Sequence, residues 1–113
     1  MIVALKTLFS LVVAIHGLIH WMGFAKAFNF AEMSQLTQPI SRFQGLIWLL
    51  AAVLFLLTIP VFLLRQNWWW LIALPAIAIS QFIIICSWQD AKFGTIANVI
   101  VLVVIVLSWS VKF

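Results

Sequence analysis

The segment Leu46–Leu64 reads LIWLLAAVLFLLTIPVFLL, an apolar run without a charged residue. A helix needs about 20 such residues to cross the roughly 30 Å hydrocarbon layer of a bilayer. Backbone N–H and C=O groups have no water to bond to in that layer, so a run of this kind must form a helix there. The segment therefore predicts a membrane-spanning helix.

Apolar runs of similar length lie on both sides of this segment, at Ile2–Phe24, Trp68–Trp88 and Gly94–Val111. Of the 113 residues, 67% are hydrophobic and only 7% are charged, whereas a soluble domain has about 25% charged residues. A chain this short cannot bury so much apolar surface within itself. We therefore predict a multi-pass integral membrane protein that forms a single domain over residues 1–113.

The connections between the runs predict how the spans are arranged. The polar turns at residues 65–67 and 89–93 are short, so the spans they join must run antiparallel. The fold predicted is an all-α, up-down-up-down four-helix bundle. In the longer connection, residues 25–43, apolar and polar side chains alternate, which predicts a short interfacial helix between the first and second spans. Ser41 is the expected N-cap of the second span.

The charged residues exclude one class of partner and leave the orientation open. Six basic and two acidic residues give a formal charge of +4, and the basic residues are scattered rather than clustered, which argues against nucleic-acid binding. Three basic residues fall on each predicted side of the membrane, so the positive-inside rule does not choose an orientation. The single cysteine, Cys86, excludes an internal disulfide and a cysteine-based metal cluster. Homo-oligomerisation also stays open.

Polar side chains within apolar spans are the candidate functional residues, because hydrocarbon accepts them only at a cost. With antiparallel spans, these side chains fall in the same half of the bilayer, while the other half is lined by Leu, Val, Ile and Phe. The pattern predicts a blind pocket rather than a pore. The candidate pocket residues are His16, His20, Gln44, Trp48, Gln81 and Asn98, and the candidate rim residues are Glu32, Arg42, Asp90 and Lys92.

The two histidines are four residues apart, so their rings project from one face of a helix. Three interpretations stay open: a structural pair hydrogen-bonded to buried amides, a proton- or ligand-binding pair, or a metal or haem site. The spacing H-x-x-x-H supplies only two ligands, whereas zinc sites take three or four. Any metal would have to use His16 and His20, and no cofactor is predicted.

Four strings carry a resemblance: HGLIHWMGF at 16–24, PISR at 39–42, WLLAA at 48–52 and SWQDAKFGT at 87–95. They resemble uncharacterised small four-helix bacterial membrane proteins that are broadly DoxX-like. The resemblance implies a four-helix membrane fold in the bacterial inner membrane. It implies no established activity and therefore assigns no catalytic residue.

The functional hypothesis is a non-catalytic membrane binding or accessory module, whose pocket accepts a small ligand, a lipid headgroup or a partner membrane protein. The alternatives are a proton-coupled small-molecule transporter, acting as a dimer with His16 and His20 as the protonatable site, and a metal- or haem-binding membrane protein. An enzyme is disfavoured because the sequence contains no nucleophile–base pair, metal-ligand set or phosphate-binding loop.

Overall fold

The computed structural model describes residues 2–110. Within that range the chain forms helices and no strands, which confirms the all-α prediction. The end of the fourth predicted span, at residue 111, lies outside the described residues. The helices are α1 (Ile2–Ala27), α2 (Arg42–Leu63), α3 (Trp70–Cys86), α4 (Trp88–Ala91) and α5 (Gly94–Ser108).

Two of the helices, α1 and α2, are long and apolar enough to cross a membrane. The other two long helices are also apolar but shorter, with 17 residues in α3 and 15 in α5. All four have a buried stripe on one side and large exposed apolar side chains on the other. In place of the predicted turn at 89–93, the chain forms the short helix α4 and then a turn at residues 92–93.

Neighbouring helices run antiparallel, and the contacts between them form a ring. Helix α1 contacts α2 and α5, and α3 contacts the same two helices. Near one end of α1, Phe9 lies against Phe62 of α2; near the other end, Gly23 lies against the Trp48 ring. Helices α3 and α5 are likewise antiparallel, because Trp70 at the start of α3 contacts Trp109 just after α5.

The ends of α1 and α2 are built by local hydrogen bonds. As predicted, Ser41 caps the start of α2, and its side chain accepts a hydrogen bond from the Gln44 backbone N–H. Both helices stop at a non-glycine residue with positive φ, 58° at Asn29 and 60° at Arg65. In each case the next N–H bonds back to a carbonyl five residues earlier (Phe30 to Ala25, Gln66 to Val61), which is the Schellman motif that ends a helix.

The predicted interfacial helix is wrong. Helix α1 continues to Ala27, and residues 28–41, all of them described, contain no helix. Side chains from outside the loop take the backbone groups that a helix would pair internally. The Lys26 ammonium donates to the carbonyl oxygens of Leu36 and Gln38. The Asp90 carboxylate accepts from the Gln38 backbone N–H. We call Lys26 and Asp90 the loop clasp.

An apolar core, the dry cluster, fills the end of the molecule opposite the loop. Its ring contacts join Phe9, Phe62 and Trp69, with centroids 5.0 to 5.8 Å apart, and Val101 and Ile105 of α5 complete it. Trp69 comes from a run of three tryptophans that is typical of a membrane interface, yet it is buried in this core. The other end of the helices contains the polar side chains.

Candidate functional site: a buried polar cluster beside an apolar groove

His16 and His20 project side by side from α1 into the interior. Their ring centroids are 4.5 Å apart in an edge-to-face arrangement, and the two side chains are only 4% and 1% exposed. The Phe55 ring of α2 packs against both. Gly94 of α5 lies beside this ring, and a Cβ there would be 2.9 Å from Ile84 Cδ1 and 3.4 Å from His16 Cε1.

Ser80 of α3 lies between the two rings and links three helices. Its Oγ is 2.7 Å from His20 Nε2 and 3.0 Å from Asn98 Nδ2. Asn98 of α5 in turn has its Oδ1 2.9 Å from His16 Nε2. The fourth contact is local to α1, where His20 Nδ1 lies 2.8 Å from the backbone oxygen of His16.

The proton positions in this network follow from that last contact. A backbone carbonyl only accepts, so His20 Nδ1 carries the proton and, in the neutral ring, Nε2 is an acceptor. The Ser80 hydroxyl therefore donates to His20 Nε2, and its oxygen accepts from the Asn98 amide nitrogen. Asn98 Oδ1 is then left facing His16 Nε2, which must carry the proton of that ring. His16 Nδ1 is consequently an acceptor.

The network continues away from the histidines along α3 and α5. Asn98 Nδ2 also donates to Gln81 Oε1 over 3.1 Å, and Gln81 Nε2 donates to Thr95 Oγ1 over 3.1 Å. We call His16, His20, Ser80, Gln81 and Asn98 the polar cluster. Every amide group in it has a partner, which is what a buried polar group requires.

Four of the six candidate pocket residues meet in the polar cluster: His16, His20, Gln81 and Asn98. Trp48 lies beside it, with its ring 5.3 Å from the His20 ring. Gln44 is elsewhere: its side chain accepts from the Ser41 backbone N–H in the capping box at the start of α2. That placement corrects the prediction, and its cause is local, because a glutamine three residues after an N-cap serine completes a capping box.

Ser80 is the member of the polar cluster that was not among the candidates. Sequence reasoning places it only on the buried stripe of α3, where small residues are typical of helix packing. Its spacing from Ile77 and Ile84 indicates burial but not that two histidines and an asparagine would surround it. A small hydroxyl in an otherwise isoleucine-rich stripe is the signal that could have identified it.

An apolar groove of about 420 Å³ lies between α1 and α5, with the histidines at its floor. Its walls include Val12, Ile15 and Ile19 from α1 and Ala97 from α5. Ile15 and Ile19 are exposed on the outer surface, so the groove opens sideways between the helices. Trp48 also lines it.

Of the four candidate rim residues, only Asp90 lines this groove, together with Leu36 of the loop. Asp90 Oδ1 accepts from the Thr37 hydroxyl over 2.6 Å, and Oδ2 accepts from the Gln38 N–H over 2.8 Å. These hydrogen bonds, the Thr37 one most of all, lower the pKa of the Asp90 carboxyl below its usual value. The loop clasp therefore holds Leu36 at one end of the groove.

The other three rim residues lie away from the groove. The Arg42 guanidinium sits 5.8 Å from the centre of the Phe28 ring, and the Lys92 ammonium 5.5 Å from that of Phe93. Glu32 lines a separate shallow depression beside Lys26. Within residues 2–110, no three His, Cys, Asp or Glu side chains come close enough together to hold a metal ion.

Comparisons with known proteins identify no relative: no family model, no curated protein and no solved structure matches this chain.

Proposed function

We propose that this protein is an integral membrane protein in which α1, α2, α3 and α5 form a four-helix bundle, and that it is a binding module. The groove between α1 and α5 takes one small, mostly apolar molecule from the lipid phase. The setting proposed is the bacterial inner membrane, which the DoxX-like strings imply. The groove is the observation that carries the proposal. It is apolar, has a volume of about 420 Å³, and has buried histidines at its floor.

The outer surface of the helices supports membrane insertion. Large apolar side chains are exposed along every long helix, among them Leu11 and Leu18 on α1, Leu57 on α2 and Phe82 on α3. Monomeric soluble proteins rarely expose contiguous apolar patches beyond a few hundred Å². At a rise of 1.5 Å per residue, α3 is about 26 Å long, and the helical turns on either side of it lengthen the apolar segment.

The apolar packing in the far half of the molecule favours binding over transport. A transporter needs an alternative opening on the other side of its site, and here the buried side chains of the dry cluster separate the histidines from the depression that Lys6, Arg65 and Asn67 line at the far end. Ligand sites are concave and mostly apolar, with a few polar groups that fix the orientation of the ligand. The groove has these properties, because only His16, His20 and Asp90 interrupt its apolar lining.

Membrane topology can be tested with single cysteines. In a Cys86→Ser background, Ser34→Cys in the loop and Gln89→Cys in α4 should react with an impermeant thiol reagent from one side of the membrane. Gln66→Cys, in the turn between α2 and α3, should react only from the other side. All three positions are exposed. Reaction of all three from the same side would disprove the four-span arrangement.

Ligand binding can be tested by filling the groove. Ala97→Phe places a ring in the groove, whereas Ala78→Phe adds the same ring to an exposed position of α3. The probes are photoactivatable tetradecyl chains with hydroxyl, methoxy, carboxylate or trimethylammonium heads, added to protein in bilayer nanodiscs. At least one probe should label Ile15, Ile19 or the α5 wall saturably in the wild type and in Ala78→Phe, but not in Ala97→Phe. Labelling that Ala97→Phe leaves unchanged for all four probes would disprove groove binding.

A further inference from the structure

We infer that the molecule held in the groove is an uncharged alcohol or phenol, whose hydroxyl donates to His16 Nδ1 and accepts from the indole N–H of Trp48. This inference rests on the proposed groove binding and adds the chemical class of the ligand. It follows from two ring nitrogens of groove-lining residues that the protein itself leaves without partners.

The first nitrogen is His16 Nδ1. The hydrogen-bond chain from the His16 carbonyl through His20, Ser80 and Asn98 puts the proton of the His16 ring on Nε2. Nδ1 therefore offers a lone pair, and no hydrogen bond within residues 2–110 uses it. The side chain is 4% exposed and lines the groove. A ligand that meets this nitrogen must bring a donor.

The second nitrogen is Trp48 Nε1. The side chain is 2% exposed and lines the groove, and its N–H has no acceptor among the described residues. Leaving a buried donor unpaired costs roughly 1–3 kcal/mol. The N–H is covered by neighbouring atoms, so the side chains around it have to shift for a ligand oxygen to reach it.

Only some head groups satisfy both nitrogens. A hydroxyl both donates and accepts. An ether or ester oxygen accepts from Trp48 but offers nothing to His16, and a trimethylammonium head neither donates nor accepts. A carboxylate accepts only, would lie in a groove that the Asp90 carboxylate also lines, and would lose its hydration among apolar walls. Of these head groups, only the uncharged hydroxyl serves both nitrogens, and the isoleucines of α1 and Ala97 would cover its apolar body.

The same four tetradecyl probes distinguish the head groups. We expect the hydroxyl probe to half-saturate groove labelling at a concentration about tenfold lower than the methoxy probe, a difference of about 1.4 kcal/mol. The two charged probes should label more weakly still. Trp48→Phe should weaken both uncharged probes, because both lose the same donor, and should leave the hydroxyl preference in place.

The outcomes separate this inference from the proposed function. Equal labelling by the hydroxyl and methoxy probes, or a preference for a charged head, would overturn the inference while groove binding stands. Failure of every probe to label the groove would overturn both.

A second measurement reads the protonation of His16 Nδ1 directly. In protein labelled with ¹⁵N-histidine, His16 Nδ1 should give the signal of an unprotonated imidazole nitrogen, assigned by its absence in His16→Gln. Tetradecan-1-ol should shift this signal, and its methyl ether should not. A protonated Nδ1, or a signal that does not respond to the alcohol, would overturn the inference.

Discussion

The polar cluster and the dry cluster lie at different levels of the same packed helices, but different interactions hold them together. At the level of the polar cluster, directional hydrogen bonds join α1, α3 and α5 through Ser80 and Asn98. At the level of the dry cluster, the same helices and α2 are joined by ring contacts and by buried aliphatic side chains. Both clusters are buried, and both lie on the inner stripes of the helices.

This difference predicts which kind of substitution destabilises each end of the molecule. Apolar packing depends on volume and tolerates changes of shape, because dispersion contacts are non-directional. A buried hydrogen-bond network tolerates changes of volume less than the loss of a donor or acceptor, because each orphaned group carries its own desolvation penalty. The dry cluster should therefore respond to lost volume, and the polar cluster to lost hydrogen bonds. Two pairs of substitutions test this contrast, and two further experiments test the surroundings of the polar cluster.

The largest effect is expected in the dry cluster. Phe62→Ala removes a ring that contacts Phe9 and Trp69 and should lower the free energy of unfolding by about 3–5 kcal/mol. The neighbouring Leu63, 51% exposed, is the matched control, and Leu63→Ala should change it by less than about 0.5 kcal/mol. Reversible unfolding in mixed detergent micelles measures both. Equal effects would mean that the apolar core does not hold this end together.

The next effect compares two positions on the same face of α5. Asn98→Leu introduces an apolar side chain of similar size and removes the Asn98 partner of His16 Nε2–H and of Gln81 Oε1, so it should cost about 2–3 kcal/mol. Ile105→Leu, two turns further along in the dry cluster, should cost less than about 1.5 kcal/mol. The same unfolding measurement applies. A larger loss for Ile105→Leu would reverse the proposed contrast.

A smaller effect is expected where the polar cluster meets Trp48. A Cβ at Gly23 would overlap the Trp48 ring, so Gly23→Ala should cost about 1–3 kcal/mol through overpacking. At Gly17 the Cβ would lie 3.2 Å from Phe55 Cβ, a contact that a small shift relieves. Gly17→Ala should change stability by less than about 1 kcal/mol, because alanine also favours the helix. Equal costs would indicate that Trp48 moves freely.

The smallest effect concerns the loop clasp at the edge of the groove. The ionised Asp90 carboxylate is the form that accepts from Thr37 and Gln38, which lowers its pKa. Its contribution is therefore present above the unfolded-state pKa of about 3.9 and is lost as pH falls through the lower folded-state pKa. Amide hydrogen exchange of residues 34–38, corrected for the intrinsic pH dependence, should accelerate only in that acidic window.

At neutral pH, Asp90→Asn should accelerate exchange of the same residues modestly, and the exposed Glu32→Gln should not. Equal exchange in the two variants at pH 7 would show that the loop is held by Lys26 alone.

Much of the fold could be predicted from the sequence. Each long helix begins and ends within a few residues of an apolar run, and Ser41 caps α2 as predicted. These features are local, since they depend on residues a few positions apart. The shared face of His16 and His20 is equally local, because four residues make about one helical turn.

The exceptions involve competition between partners. Gln44 is predicted to line the pocket, but its side chain accepts from the Ser41 N–H in the capping box instead. The loop from 28 to 41 has helix-compatible residues, but its backbone carbonyl and N–H groups form hydrogen bonds with the side chains of Lys26 and Asp90. Trp69 belongs to a run of three tryptophans that is typical of a membrane interface, and it is buried because Phe9 and Phe62 lie beside it.

The sequence by itself determined the helical class, the positions of the long helices and the separation of polar from apolar residues along them, because hydrophobic runs and helical periodicity are properties of short segments. Only the tertiary structure decided that Ser80 would join the histidines to Asn98, and that the space left between α1 and α5 would become a groove. Those outcomes depend on contacts between residues up to 82 positions apart, such as His16 and Asn98. Pairing over such distances follows from how the helices pack, which no local pattern contains.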